Sequence, residues 1–239
     1  MNHVDTYKSQ CGQDRFVNEV IFNWKKKGFF FDIGAHDGIS LSNSWYFEKS
    51  VDWAGICVEP IPDVFNQLKK NRSCLLENCC ISDIDGEVEF LKVKGYGEML
   101  SGIKENLDQD HLGRIQKTLT LKGGSLETIK VNSVSIQSLI NKHSINAIDL
   151  LSIDTEGSEE AIIKSFPFEI IKPKVILVEN NYGTTEIIEF LGTKGYIHCI
   201  NLQDDIFYFG TLGIRQKVML FKFKLIRYFR YKTRRIFGK

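Results

Sequence analysis

Residues 28–40 read GFFFDIGAHDGIS: three phenylalanines run into an aspartate, followed by two glycines four apart with a histidine and a second aspartate between them. The short apolar run Phe29 to Ile33 predicts a strand buried on both faces, as at the centre of a parallel sheet. In a doubly wound sheet, ligands lie beyond the carboxyl ends of the strands, and the loop after the first strand is the usual cradle. Asp32, Gly34, Ala35, His36, Asp37 and Gly38 therefore read as a ligand loop.

Outward from this stretch the pattern alternates. Upstream, Phe16, Val20, Ile21 and Trp24 form one stripe of a helix over residues 14–27, with Lys25, Lys26 and Lys27 at its dipole end. Downstream come a helix from Leu41 to Lys49, the apolar strand WAGICVE ending at Glu59, and a helix with Pro62 and Asp63 at its start and Lys69 and Lys70 near its end. A third strand spans Cys74 to Ile81, and a turn at Asp85-Gly86 leads into another. Residues 94–125 read as a loop. Order returns with ETIKVNSV, a helix over Ile136 to His143, the strands AIDLLSID and KVILVEN, a helix over Thr185 to Lys194, and a closing antiparallel pair, GYIHCIN and DIFYFG. This is the pattern of an α/β, Rossmann-like doubly wound sheet of seven strands, mostly parallel with an antiparallel edge strand.

Composition agrees with one globular domain over residues 1–214: 43% hydrophobic and 26% charged residues, with no low-complexity linker. No basic segment leads into an apolar core at the start, and no run of about 18 apolar residues occurs, so the expected location is cytoplasmic. The cysteines at 11, 57, 74, 79, 80 and 199 form no C-x-x-C pair and read as free thiols. No Ser-His-Asp arrangement or H-E-x-x-H run points to a hydrolase or a zinc site.

The acids of the glycine loop discriminate among ligands. A dinucleotide's pyrophosphate seeks N–H groups free of nearby anions, which Asp32 and Asp37 would repel; the spacing is also not G-x-G-x-x-G. S-adenosylmethionine carries an ammonium and a sulfonium and no phosphate. Glu59, at the end of the second strand and followed by Pro60, is placed to accept hydrogen bonds from both ribose hydroxyls. Ser82 and Asp83, after the third strand, stand either where an adenine amino group is read or in an ordinary turn.

A second cluster lies in SIDTEGSEEA and VEN. Asp154 and Glu156 follow one strand, Glu179 and Asn180 end the next, and neighbouring strands bring them together on the ligand side. Convergent carboxylates need a cation or a shared proton. Asp154 or Glu156 reads as a base for a hydroxyl acceptor, whereas Glu159 and Glu160 read as helix-dipole partners.

The segments FFFDIGAHDGIS, GICVEPIPDVFNQL and IDLLSIDTEGSEEAII, with SQCGQDRF upstream, resemble the signature segments of the FkbM family of class I methyltransferases, over roughly residues 7–210. The resemblance implies S-adenosylmethionine as donor and O-methylation of a hydroxyl, on a sugar of a surface glycan or glycoconjugate or on a secondary metabolite. Asp154, Glu179 and Asn180 are similar to the Asp, Asp and Asn metal ligands of catechol-type O-methyltransferases, a set suited to Mg²⁺. Two other readings stay open: an RNA ribose 2′-O-methyltransferase, and a nucleoside-binding or membrane-adaptor module without turnover.

The tail, residues 215–239, holds ten of the 31 Lys and Arg and no Asp or Glu, which leaves residues 1–214 with 21 basic against 30 acidic side chains. Its interleaved Val218, Leu220, Phe221, Phe223, Leu225, Ile226, Tyr228, Phe229 and Ile236 make a basic amphipathic segment. An anionic membrane surface, the protein's own acidic body and nucleic acid are its candidate partners.

Overall fold

A computed structural model describes residues 7–83, 85–181 and 183–237, with side chains to residue 226. At its centre is β1 (Phe29–Ile33), whose Phe30 and Phe31 are both wholly buried. Phe31 and Ile33 point into one core layer and Phe30 into the other, so each face of the strand has its own packing partners. Burial of each phenylalanine is worth about 1.5–3 kcal/mol.

β1 pairs in parallel with β2 (Ala54–Val58) on one side and β8 (Leu150–Ile153) on the other. Beyond β2 lies β3 (Leu75–Glu77), and beyond β8 lies β9 (Val175–Glu179). The far end is the antiparallel pair β10 (Tyr196–Leu202) and β11 (Asp204–Phe209), giving the seven-strand order β10-β11-β9-β8-β1-β2-β3. The expected doubly wound sheet with its antiparallel end is thus present, and β1 sits where the strand order reverses.

One face is covered by α5 (Ile136–Lys142), α6 (Glu159–Ser165) and α7 (Glu186–Thr193). The other carries α1 (Gln13–Phe16), α2 (Trp45–Val51), α3 (Pro62–Asn71) and the start of α8 (Ile214–Phe237). The upstream helix is shorter than its stripe predicts. After α1 the chain widens into a π-helical turn (Val17–Phe22) and stops at Asn23, which takes the left-handed conformation that ends helices. Trp24 consequently leaves the stripe, 43% exposed, and Lys25 pairs with Asp149 instead of capping a helix end.

Three features differ from the sequence reading. The segment Cys74 to Ile81 is two strands, β3 in the main sheet and β4 (Cys80–Ile81) in a second sheet. In that sheet β5 (Gly86–Lys94) pairs with β6 (Gly102–Ile103) and β7 (Ser125–Val134), around Phe90, Ile103, Val131, Ile61 and Val64, and the strand order is β4-β7-β5-β6. Residues 94–125 are not a loop either. They contain β6 and a 14-residue helix, α4 (Gln109–Lys122), started by Asp108, whose carboxylate accepts the His111 backbone N–H. The six cysteines are all free thiols, four of them buried, as their spacing predicts.

Candidate functional site

The carboxyl ends of β1, β2, β8 and β9 open into a cavity roofed by the second sheet and by residues 98–103. Its floor is set by close backbone approach. Gly34 has φ +85°, and a Cβ there would lie 1.7 Å from the Asp154 carbonyl oxygen. The Gly34 and Ala35 N–H groups donate to the Val58 carbonyl at 3.1 and 3.0 Å, and the Asp154 N–H donates to the Ile33 carbonyl at 3.0 Å, so three strand ends are tied at one point.

Glu59 is buried beside this point. Its Oε2 accepts the His36 backbone N–H at 3.1 Å and its Oε1 accepts that of Ile61 at 2.8 Å. Burial, with Glu98 adding repulsion against those two donors, pushes its carboxyl up to about 7. Each oxygen retains a lone pair for a ligand hydroxyl. Asp32 also lines the cavity but has protein partners: Ser44 donates to it, and Arg72, whose side chain is wholly buried, donates to Ser44 at 2.9 Å and to Glu48. Burial raises the Asp32 carboxyl, and the Arg72 guanidinium opposes that rise.

At the opposite end Asp154, Glu156 and Glu179 converge, with carboxylate oxygens within 4.8 Å of one another. Asp154 is open to the cavity and enclosed by protein elsewhere; enclosure, then Glu179, Asp204 and Glu156, drive its carboxyl well above the usual range. Glu156 is pushed up to about 8 by burial and Glu179, against Arg114, and Glu179 to about 7 by burial and Glu159. Arg114 and His111 of α4 reach Glu156 Oε2 at 3.3 and 3.6 Å. Four of the non-glycine residues with left-handed backbone, His36, Leu41, Glu156 and Gln203, line this cavity, as strained conformations at functional sites often do.

Not every residue picked from the sequence is at the cavity. Pro60, Ala35 and His36 line it, His36 Nε2 lying 3.4 Å from Glu98. Asp37 does not: its carboxylate is bound to the backbone N–H groups of Ile39 and Ser40 and to the Ser40 hydroxyl, which closes the turn. Gly38 is a packing glycine, since a Cβ there would meet Leu68 at 2.5 Å and Arg72 at 2.6 Å. Ser82 and Asp83 lie past the cavity, by a separate depression against α6, because the chain has already crossed into the second sheet; Cys79, Cys80 and Ile81 line the cavity in their stead. Asn180 is turned away as well. Its amide donates to Asp205 at 2.6 Å and to Thr184 at 3.0 Å, so Glu156 completes the carboxylate trio in its place. The carboxylate of Asp205 also accepts from His198 Nε2 at 2.8 Å, and His198 does not line the cavity.

Other lining residues escaped the sequence reading. Asn43 donates to Asp204 at 2.9 Å and to Ser152 at 3.2 Å, while its Oδ1, buried, has no partner among the described residues. Asp204 and Asp205 open the otherwise apolar β11, and that acidic pair was the available signal. Glu98 lies in the segment read as a loop, where no periodicity marked it.

The switch-point cavity places the chain among Rossmann-like proteins that hold a small ligand at the strand ends. Its family is narrower: the profile of the Methyltransferase FkbM domain matches residues 32–198, and the chain belongs to that family of methyltransferases. No curated protein matches it. A solved structure, methyltransferase FkbM from Methylobacillus flagellatus KT, is similar at 12% identity and a TM-score of 0.46, over 81% of this chain and 48% of that one. The chain thus spans about half the length of that structure.

Proposed function

We propose that the chain transfers the methyl group of S-adenosylmethionine to a hydroxyl oxygen of a neutral, hydroxyl-rich acceptor, a sugar of a glycan or glycoconjugate. One observation carries the reading. The cavity is lined by seven carboxylates, Asp32, Glu59 and Glu98 at one end and Asp154, Glu156, Glu179 and Asp204 at the other, and by no Lys or Arg among the described residues. Such a wall attracts a sulfonium and an ammonium and repels a pyrophosphate. The unpartnered Asn43 Oδ1 offers an acceptor for an ammonium, and the free lone pairs of Glu59 suit a ribose diol. The same wall disfavours an RNA backbone as acceptor, because nothing in it pairs a phosphate.

When bound, S-adenosylmethionine supplies an electrophilic methyl group on a positively charged sulfur. The chain's own part is to hold the acceptor oxygen in line and remove its proton. Asp154, made more basic by enclosure and by the carboxylates of Glu179, Asp204 and Glu156, takes that proton, with Glu156 beside it. Asp154, Glu156 and Glu179 are also the residues that would hold a divalent cation, an all-oxygen set that fits Mg²⁺, which would make the acceptor hydroxyl more acidic.

Calorimetric titration with S-adenosylhomocysteine and, in parallel, NAD, each with and without Mg²⁺, tests the donor. We expect binding of the former alone; NAD binding alone would overturn the reading. Asp154→Asn should keep donor binding and lower turnover about 10²–10⁴-fold; undiminished turnover would remove Asp154 from proton transfer.

A further inference from the structure

The first three turns of α8 have two apolar faces. Met219, Leu220 and Phe223 form the inner one, where the Phe223 ring meets Phe16 edge-on at 5.0 Å, and on the same side the Gln216 amide donates to the Ile21 carbonyl at 2.8 Å. On the opposite side, about 180° around the helix, Ile214, Val218, Phe221 and Leu225 recur at the spacing of a single stripe. All four are exposed, Ile214 at 85% and Phe221 at 66%. Between the two faces lie Arg215 and Lys222 on one flank and Lys217 and Lys224 on the other, and none of these four cations has an acidic partner in an ion pair among the described residues. The helix runs on to Phe237, and residues 215–239 contain no acid.

We propose that this outer face of α8 is a docking surface for an anionic phospholipid bilayer, on which the enzyme sits peripherally. Charge complementarity selects the occupant. The body carries nine more acidic than basic residues and would be repelled by anionic lipid, whereas α8 carries only cations. The stripe is apolar and the cations flank it on both sides, so the side chains of Phe221 and its neighbours enter the acyl boundary while Lys217, Lys222 and Lys224 reach the phosphates. No helix among the described residues is long and apolar enough to cross a membrane, so the helix lies in the interface plane. A second copy of the chain would set these cations against their like, and RNA offers no apolar phase for the stripe.

The test is sedimentation of the full chain with vesicles of phosphatidylglycerol and phosphatidylcholine in equal parts, and with phosphatidylcholine alone. The native chain should bind the anionic vesicles, less as salt is raised, and leave the neutral ones. Phe221→Ser with Leu225→Ser, and separately Lys217→Glu with Lys224→Glu, should each weaken binding about tenfold or more with unchanged S-adenosylhomocysteine affinity and thermal midpoint. In the Phe221→Trp protein, an indole emission that shifts to the blue on anionic vesicles supports the same contact. Absence of vesicle binding overturns the proposal, as does binding that both double variants retain. A native dimer that Phe221→Ser splits, without vesicle binding, assigns the face to a second copy and overturns it too; polyuridylate binding without vesicle binding does so in favour of RNA.

Discussion

Glu59→Gln isolates one buried carboxyl. Glu59 is 5% exposed and its carboxyl is pushed up to about 7 from 4.5, because burial outweighs the two backbone N–H groups it accepts. A carboxyl whose pKa is raised by folding binds more protons in the native state, so it costs stability as pH rises through the interval between the two values. Below about pH 4.5 Glu59 is protonated in both states and adds no penalty; above about pH 7 the full cost, about 3 kcal/mol, is present. Between about pH 5 and about pH 8 its share of the loss integrates to about 2.5 kcal/mol. The amide of the variant cannot ionise, so that share should vanish, although it can accept from only one of the two N–H groups and should lower stability by about 1 kcal/mol at the acid end. Urea denaturation of both proteins at the two pH values reads this as a difference of differences, in which the contributions of the other buried acids cancel. Equal pH dependence in the two proteins would mean that Glu59 ionises normally, and the desolvated ribose partner would have to be abandoned.

Arg72→Met should cost about 3–5 kcal/mol, since it leaves Glu48 and Asp32 without the buried guanidinium between them; a loss below about 1 kcal/mol in urea denaturation would show that this cation is dispensable. Gly34→Ala should destabilise by at least about 3 kcal/mol, through both its positive φ and the 1.7 Å approach to Asp154, and a thermal midpoint near that of the parent would contradict the tied strand ends. Gly113→Ala, on the exposed face of α4 with nothing within 4 Å, should instead stabilise by about 1 kcal/mol. No gain there would show that α4 is not an ordinary helix.

The strand centre at Phe29–Ile33 and the acids at Glu59, Asp154 and Glu179 were legible because strand ends in a doubly wound sheet fix position from periodicity alone. What stayed hidden depends on events that periodicity does not record. Asn180 follows an apolar strand just as Asp154 does, but its amide is captured by Asp205 of a strand that arrives later in the chain. Ser82 and Asp83 moved out of the site because the chain changes sheets at Cys80, a decision made by pairing with Ser133 of β7, far downstream in the chain. Asp37 spends its carboxylate on its own turn, a use that the spacing of a glycine loop does not distinguish from ligand binding. The second sheet was invisible for the same reason as Glu98: α4 sits inside a segment whose glycines and scattered charges look like a loop.

The carboxylate wall also bears on release. In the proposed reaction the ligand enters as a cation and leaves as a neutral thioether at sulfur, so the attraction that draws the donor in is partly switched off by turnover itself. The product keeps the ammonium and ribose proposed to meet Asn43 and Glu59, and gives up only the attraction between the carboxylates and the sulfonium. Fresh donor, with its sulfonium, is thereby favoured over spent product at the same wall.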